Sequence, residues 1–212
     1  VKEGPASYIS NLDLLRTVQR AFPRTELDIR HSQGFHPHPI ISIVLPLPVG
    51  QSSDCELLDF EVTQETDGAG IAEKLNGGLP EGLTILDCYE ARRPVRELTY
   101  LQADMELDYD RGVPHGAAQA LTELLRRREL LIEKRTKRKQ LAEVDIAPMI
   151  RDISFTQGEN VLRAAVTVQA QNPGLNPQLL EKAIARYLPE LTPDFVRVRR
   201  RELLDADGQV FR

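Results

Sequence analysis

Three of the four histidines in the chain fall within nine residues, in the segment His31-Ser32-Gln33-Gly34-Phe35-His36-Pro37-His38-Pro39. An imidazole can ligate a metal ion or shuttle a proton near neutral pH. His36 and His38 are one residue apart, which in an extended loop directs them to opposite sides, and no Cys or carboxylate follows at ligand spacing. We therefore expect no metal site, and His38, assisted by His31 or Tyr8, is the candidate for general acid–base chemistry.

The same segment has the composition of a stiff loop. Pro37 and Pro39 fix the backbone angle φ and remove two N–H donors, whereas Gly34 permits a turn that other residues could not make. Two interpretations stay open. The segment is either a structural crossover in which His38 is hydrogen-bonded, or a rigid loop whose histidines and Phe35 stack on or hydrogen-bond a nucleotide or a protein partner.

A second candidate is a basic segment. Eight Lys or Arg lie between Arg126 and Lys139 against only Glu129 and Glu133, so this segment carries +6 in a chain of net charge −5. Such charges neutralise phosphates, which makes binding salt-sensitive, and RNA is the predicted ligand. The alternative is a solvated helix end followed by an exposed hairpin. The candidate nucleic-acid contacts are Arg126, Arg127, Lys134, Arg135, Lys137, Arg138 and Lys139.

Two further features limit this interpretation. Aromatic residues make up 5% of the chain and no aromatic strand motif of the RRM type occurs, which argues against a conventional RRM surface. Arg197, Arg199 and Arg201 alternate along a predicted strand, so they share one face. They either extend an anion-binding surface or act as exposed charges that discourage aggregation.

The composition, 41% hydrophobic and 28% charged over 212 residues, is typical of a globular protein with one large or two small domains. The apolar runs are far shorter than the roughly 20 residues of a membrane span, and the first residues do not resemble a secretory signal. Cys55 and Cys88 are too few for a disulfide framework or an iron–sulfur cluster. We expect a cytoplasmic protein without membrane association or cofactor.

Residues 1–92 read as strand, helix, strand, strand, helix, strand. Ser10 and Asp13 resemble a capping box, and Pro23 should end the first helix. The apolar stripe of this helix is predicted at Leu12, Leu15, Val18 and Phe22. Asp67 is the predicted cap of a second helix that stops at residues 76–78. The four predicted strands of this pattern cover residues 7–9, 40–45, 56–63 and 83–88, and a further strand is possible at 27–29.

The second half repeats much of this pattern. Helices are predicted at 115–130 and from Asn176-Pro177 onwards. The predicted strands cover 99–109, 131–135, 153–156, 161–169 and 195–199. We expect an α+β protein of two tandem ferredoxin-like (βαββαβ) subdomains with antiparallel sheets. Residues 1–93 would carry the histidine segment and residues 94–212 the basic segment, joined near Arg92-Arg93-Pro94.

The chain also resembles a known family. The residues that carry this resemblance are Tyr8-Ile9-Ser10-Asn11-Leu12-Asp13, Arg16, Arg20, Ser32 to Pro39, Ser42, Pro46-Leu47 and Gly50. Together they resemble the opening signature of the radical SAM-linked protein family, whose biochemical role is unknown. Lys134 to Lys139 with Val144-Asp145-Ile146 and Ile150 resembles its second, looser segment. The chain departs from the pattern at Asn11, His36 and Ile40, where the family usually has His, Asn and a basic residue.

The resemblance implies a radical SAM enzyme as partner, since such proteins are encoded beside, or fused to, cobalamin-binding radical SAM enzymes. Two cysteines cannot hold the cluster of such an enzyme, so the implied link is association. The ligand-binding candidates are Arg16, Arg20, Gly34, Phe35, His36 and His38. The predicted function is a non-catalytic module that presents RNA or another substrate to this partner. The alternatives are an RNA-processing or RNA-modifying enzyme that uses His38, and a pure protein–protein scaffold.

Overall fold

The structure, a computed structural model, describes residues 1–25, 27–63, 68, 70–135 and 141–212. The chain divides into two compact units, Val1–Val95 together with Arg212, and Arg96–Phe211. A short 3-10 helix, Val95–Glu97, lies where one unit gives way to the next along the chain. Over the described ranges, none of the helices combines the length and the apolar character that crossing a bilayer requires.

The first unit is built around helix α1 (Asn11–Ala21). The predicted cap is confirmed, because the Ser10 hydroxyl accepts a hydrogen bond from the Asp13 backbone N–H at 3.1 Å. The predicted end is confirmed as well, since Pro23 falls in the 3-10 helix Phe22–Arg24 that follows α1. The predicted stripe was wrong at Leu12, which is 56% exposed. The residues of this helix that are buried are Leu14, Val18 and Ala21.

The remaining elements of the first unit are short. Helix α2 spans Ile71–Asn76, and the strands are β1 (Ile41–Ile43), β2 (Ser52–Ser53) and β3 (Leu58–Phe60). Strands β1 and β3 pair antiparallel, with Ile41 opposite Phe60. Helix α2 ends where the glycines begin, as predicted, whereas its predicted cap, Asp67, lies outside the described residues. The buried core of the unit consists of Ala6, Leu14, Val18, Ala21, Phe22, Ile29, Ile71, Leu75 and Leu83.

Three strand predictions in this unit were wrong. Residues 7–9 belong mostly to a 3-10 helix, Gly4–Tyr8, because Pro5 near its start fixes a helical φ. Residues 83–88 are reduced to one bridge, between Lys2 and Leu83. Beyond it, the Asn76 side chain binds the backbone of Ile85, with its amide donating to the carbonyl and its oxygen accepting from the N–H. Residues 27–29 are reduced to one bridge, between Ile29 and Val62.

The second unit has one large antiparallel sheet. Its strands are β4 (Tyr100–Asp108), β7 (Ile150–Gln157), β8 (Val161–Gln169) and β9 (Phe195–Leu204). Within the unit they lie in the order β9-β4-β8-β7, each antiparallel to its neighbour. Residues on β4 alternate between buried and more exposed positions, and the buried set is Leu101, Ala103, Met105 and Leu107. This period of two is what a sheet with a single packed face requires.

Two helices and a hairpin complete the second unit. Helix α3 spans Ala117–Leu125, and α4 spans Leu180–Tyr187 after the 3-10 helix Pro177–Leu179. Asn176 caps this start as predicted, because its side-chain oxygen accepts from the Gln178 N–H at 3.2 Å. Further 3-10 helices span Ala147–Met149 and Pro189–Leu191.

The main departure in this unit concerns residues 126–145. Helix α3 ends at Leu125 rather than at residue 130, and β5 (Leu131–Arg135) does not join the large sheet. It pairs antiparallel with β6 (Leu141–Asp145), a strand the sequence pattern did not predict. The α+β class is thus confirmed, whereas two tandem ferredoxin-like subdomains are not confirmed.

Candidate nucleic-acid interface

Residues 30–40, which we call the histidine loop, close on themselves by backbone hydrogen bonds. The Ile40 N–H donates to the Arg30 carbonyl and the Ser32 N–H donates to the His38 carbonyl, both at 2.9 Å. Gly34 lies near the tip with φ of 138°, in a region that residues with a Cβ rarely adopt. The predicted stiff loop is therefore a narrow hairpin-like turn.

Side chains reinforce this closure. The Ser32 hydroxyl lies 2.9 Å from Nδ1 of His38 and also accepts from the His38 N–H at 3.2 Å. His31 places Nδ1 2.7 Å from the Ile29 carbonyl, so this nitrogen must carry the proton, because a carbonyl can only accept. In both histidines Nδ1 is used within the chain, and an external ligand would contact Nε2.

The other candidates of the first unit are exposed. Phe35 is 102% exposed and Tyr8 71%, so neither ring packs on the chain. Arg16 lies 3.4 Å from Asp13 in an exposed pair on α1, and Arg20 is exposed one turn further on. Helix α1 approaches the base of the loop, where the Gln19 amide lies 3.4 Å from the Pro39 carbonyl. The described residues contain no group of three or more His, Cys, Asp or Glu that could hold a metal ion.

The basic segment lies in the second unit. Arg126, Arg127 and Arg128 are exposed and occupy the turn between α3 and β5. Lys134 is exposed on β5. Lys137, Arg138 and Lys139 belong to residues 136–140, which lie outside the described residues. We call residues 131–145, which comprise β5, this connection and β6, the basic arm.

Helix α4 anchors the base of the basic arm. The Tyr187 hydroxyl accepts from the Leu131 N–H at 3.1 Å and donates to the Leu131 carbonyl at 3.3 Å. Lys182 donates to the Glu133 carbonyl at 3.2 Å. These side chains form hydrogen bonds with backbone groups of β5 on the edge that does not pair with β6. They therefore protect a strand edge that would otherwise be unpaired.

Acidic side chains of the basic arm are balanced by cations of α4. Glu133 and Glu143 lie directly opposite each other in the β5–β6 register, an arrangement that like charges make unfavourable. Arg186 offsets it, because its guanidinium lies 2.8 Å from the Glu143 carboxylate. The hydrogen bond to Glu143 raises the pKa of Arg186 above its ordinary value. The cations of α4 therefore compensate the acidic residues of the arm.

Arg127, in the turn before the basic arm, also contacts Tyr187. The Arg127 guanidinium lies 5.6 Å from the centre of the Tyr187 ring, and so does that of Arg186. At the other end of the turn, Asp145 accepts from the N–H groups of Leu130 and Ala147 at 2.8 and 3.0 Å. The structure thus brings residues 126–128 to the base of the arm.

Sequence reasoning missed Lys182, Arg186 and Tyr187, which lie about fifty positions beyond the basic segment. The signal that could have found them was the i, i+4 spacing of Lys182 and Arg186 on a predicted helix, which places two cations on one face. What that face contacts depends on how α4 packs against β5, and no local pattern encodes this.

The arginines of β9 are not an open anion site. Arg197 lies 3.0 Å from Glu106 and 2.8 Å from Asp108, and Arg201 lies 2.7 Å from Asp104. All three carboxylates are on β4, the neighbouring strand. The hydrogen bond from Arg197 lowers the pKa of Glu106. Cross-strand pairing within the sheet explains these arginines better than an anion-binding surface does.

Comparison with known proteins identifies a family for this chain. Residues 1–177 match the family described as an uncharacterized protein conserved in bacteria, DUF2344. No curated protein matches the chain. The matched range includes both the histidine loop and the basic arm, and nothing in these comparisons connects the chain to radical SAM enzymes. Because the match covers most of the chain, the protein belongs to the DUF2344 family of conserved bacterial proteins.

Proposed function

We propose that the protein is a non-catalytic RNA-binding module whose binding surface comprises residues 126–128 and the basic arm. The observation that carries this proposal is the anchoring of the arm by α4, through Tyr187 and Lys182. A hairpin held at its base gives β5, which carries Lys134, a defined position after residues 126–128. Preorganised charges of this kind bind a polyanion at a smaller entropic cost than charges on a free tail.

The charge balance supports the same surface. Glu143 of the arm is paired with Arg186 of α4, and the Asp145 carboxylate is bonded to the N–H groups of Leu130 and Ala147. Arg126, Arg127, Arg128 and Lys134 are exposed cations, and the sequence of the connection adds Lys137, Arg138 and Lys139. Each phosphate neutralised by a cation releases counterions, so affinity should fall steeply as salt rises.

Fluorescence anisotropy with labelled RNA over a series of salt concentrations tests this proposal. The double variants Arg127→Glu/Arg128→Glu and Lys137→Glu/Arg138→Glu should each bind about tenfold or more weakly, with a salt slope shallower by about 1–2. The variant Arg96→Glu/Arg111→Glu carries the same charge change at exposed sites of the second unit and should bind nearly as the parent does. Unchanged affinity and slope in both arm variants would refute the proposal.

We further propose that the RNA is presented to a radical SAM enzyme. The support is the resemblance of the first 50 residues, above all Ser32 to Pro39, to the radical SAM-linked family. Purification of the native complex, with identification of its proteins and nucleic acids, tests this. Recovery of a radical SAM enzyme together with RNA is expected. Recovery of the enzyme without RNA would favour a pure scaffold, and absence of the enzyme would refute the partnership.

A second candidate function is RNA processing or modification that uses His38. The observation in its favour is the 2.9 Å contact between Ser32 and Nδ1 of His38, which orients the ring and directs Nε2 to an external ligand. Incubation with total RNA should then give cleavage or modification that His38→Ala abolishes and His115→Ala retains. A folded parent protein that is inert towards all RNA classes would exclude this function.

For the fold, we propose that residues 1–93 and 94–212 are separate domains and that the second is ferredoxin-like with the basic arm inserted after α3. The support is the order β9-β4-β8-β7, which a βαββαβ chain produces when the arm is left aside. Limited proteolysis should cut first near Arg92-Arg93-Pro94 and leave two protected fragments. Early cleavage inside either fragment would contradict this division.

A further inference from the structure

Strand β7 forms an edge of the large sheet, and β8 is the strand that pairs with it. We infer that this edge of β7 pairs antiparallel with the same edge in a second copy of the chain, so that two large sheets join into one. Pairing of this kind is independent of the proposed RNA binding. Three features of β7 support it: the direction of its backbone groups, the composition of its edge, and the match of its side chains in a symmetric pair.

The backbone groups of β7 point alternately towards β8 and away from it, because the ladder bonds of an antiparallel pair involve every second residue. Directly after β7, the Gly158 N–H donates to the carbonyl of Val161, the first residue of β8, at 2.9 Å. Gly158 therefore points towards β8. Counting back from Gly158, the N–H and C=O groups that point away from β8 are those of Gln157, Phe155 and Ile153.

The described chain leaves most of this edge unoccupied. The Arg126 guanidinium donates to the Ile153 carbonyl at 3.4 Å, which agrees with the outward direction of that group. Over the described ranges, no other residue bonds to the outward-pointing groups. The edge of β5, in contrast, is bonded by Tyr187 and Lys182. An unpaired edge such as that of β7 is a template for another strand.

The composition of the β7 edge does not discourage pairing. Natural edge strands are usually protected by prolines, by charges such as those of Lys, or by a bulge. In β7 the irregularity lies at the start of the strand, between Ile150 and Asp152. The residues that follow, 153–157, are Ile-Ser-Phe-Thr-Gln and contain neither a charge nor a proline. This uncharged stretch includes all of the outward-pointing residues.

A second copy fits this edge in a symmetric antiparallel register centred on Phe155. Ile153 then lies opposite Gln157 of the second copy and Phe155 lies opposite its counterpart, so each outward N–H meets a carbonyl. The Ile153 carbonyl can keep its contact with Arg126, because a carbonyl oxygen has two lone pairs.

The side chains match in the same register. Phe155, which is partly buried, pairs with the Phe155 of the second copy, and on the opposite face Ser154 lies opposite Thr156. Aromatic–aromatic pairs and Thr–Ser pairs are both favourable across antiparallel strands. The edge of β7 thus complements itself, which favours a second copy over an unrelated strand.

The charges at the two ends of this pair are balanced. Antiparallel pairing brings the start of one β7, with Arg151 and Asp152, near the end of the other. Beside that end lie Glu159, which follows β7, and Arg163, which is opposite Thr156 on β8. Each end therefore combines as many cations as carboxylates, and no excess of one charge opposes the pairing.

Analytical ultracentrifugation of the full chain over a series of concentrations tests this pairing, and we expect a reversible monomer–dimer equilibrium. Phe155→Lys places like charges opposite each other and should raise the dissociation constant about tenfold or more. Gln157→Pro keeps Phe155 and removes an outward N–H, where an edge strand tolerates proline, and should also raise the constant about tenfold. Gln102→Lys adds the same charge at an exposed site of β4 and should leave it unchanged.

Disulfide formation tests the register. In a pair centred on Phe155, the two Cα atoms of residue 155 lie about 5.5 Å apart, inside the range of about 4.4–6.8 Å that a disulfide spans. Phe155→Cys should therefore form a covalent dimer on mild oxidation. Ser154→Cys is the matched variant and should not, because its two copies are diagonal neighbours about 7–8 Å apart. The parent, which contains Cys55 and Cys88, gives the background.

A parent that sediments as a monomer at every concentration would overturn the inference and would leave a strand of another protein as the occupant of this edge. Dimers that persist in both Phe155→Lys and Gln157→Pro would place the interface elsewhere and overturn it as well. If circular dichroism shows that Phe155→Lys is unfolded, Gln157→Pro decides the matter. Equal cross-linking of Ser154→Cys and Phe155→Cys would contradict the symmetric register.

Discussion

The histidine loop and the basic arm are both turns that carry candidate functional residues, but they are held by different means. The histidine loop is closed by contacts between residues at most ten positions apart, such as Ser32 with His38. The basic arm is held by α4, through Tyr187 at a sequence separation of 56 residues. The first turn owes its shape to local chemistry and the second to tertiary packing.

The histidine loop and the basic arm also differ in how deeply their apolar side chains are buried. Phe35 of the histidine loop is entirely exposed, whereas Ile132 of the basic arm is 1% exposed. The loop therefore contributes little to the core, and its residues can change without loss of the fold. The arm is part of the core at its base, and substitutions there should affect both stability and the position of its cations. One variant in each region can test this difference in burial.

The largest expected effect is that of Ile132→Ala. Removing a buried isoleucine side chain leaves a cavity, and we expect a loss of about 2–4 kcal/mol in the unfolding free energy of the second unit. Urea denaturation followed by circular dichroism measures it. Phe35→Ala is the matched variant in the loop and should change stability by less than about 0.5 kcal/mol. Similar losses in the two variants would show that the histidine loop and the basic arm contribute alike to the core.

The next effect is that of Tyr187→Phe, which keeps the ring and deletes the hydroxyl that binds Leu131. A lost hydrogen bond to the arm should cost about 1 kcal/mol. The sharper measurement is amide hydrogen exchange, which should accelerate at the Leu131 N–H. Tyr8→Phe, at an exposed ring of the first unit, should alter neither quantity. Unchanged exchange at Leu131 would show that α4 does not hold the arm through Tyr187.

A smaller effect concerns the large sheet of the second unit, where Glu106 contacts both Arg163 and Arg197. The hydrogen bond from Arg197 lowers the pKa of Glu106 in the folded state. Its stabilisation is therefore complete above the unfolded-state pKa and is lost as the pH falls through the folded-state value. Because the residues are partly exposed, Glu106→Gln should destabilise by about 0.5–1 kcal/mol at neutral pH.

Urea titrations of Glu106→Gln and the parent between pH 7 and pH 2.5 would measure this dependence. The difference between the two proteins should shrink towards zero at the acidic end. The first unit supplies a control, Glu61→Gln, because Glu61 pairs with Arg30 at 2.6 Å in an exposed position. A pH-independent difference for Glu106→Gln would contradict the ion-pair explanation.

The smallest effect is that of Ser32→Ala in the histidine loop. It removes the hydroxyl that accepts from the His38 N–H and contacts Nδ1, at an exposed site where one hydrogen bond contributes about 0.5 kcal/mol. Global stability should hardly change, while hydrogen exchange at the His38 N–H should become faster. Gln33→Ala should leave that exchange rate as it is. Equal rates in Ser32→Ala and the parent would mean that the backbone alone closes the loop.

Local signals accounted for the parts of the fold that depend on local contacts. The helix ends were predicted correctly from Ser10 with Asp13, from Pro23 and from Asn176-Pro177. Capping and proline geometry act within one turn of the chain, so local sequence is enough to predict them. The strands at 83–88 and 27–29 failed for a different reason. A segment with strand propensity forms a ladder only if the edge of a partner strand is available to it. In residues 83–88, the Asn76 side chain already binds the backbone N–H and carbonyl of Ile85.

The candidate functional residues also divide into those that local sequence determines and those that tertiary contacts determine. The sequence by itself determined the composition of the histidine segment and the excess charge of residues 126–139, since both are properties of residue type and order. It also placed Gly34 where a positive φ is needed. Only the tertiary structure decided that β5 and β6 pair with each other outside the large sheet and that Tyr187 and Lys182 bind β5. Packing of α4 on β5 joins residues about fifty positions apart, and such a contact depends on the whole core rather than on any local pattern.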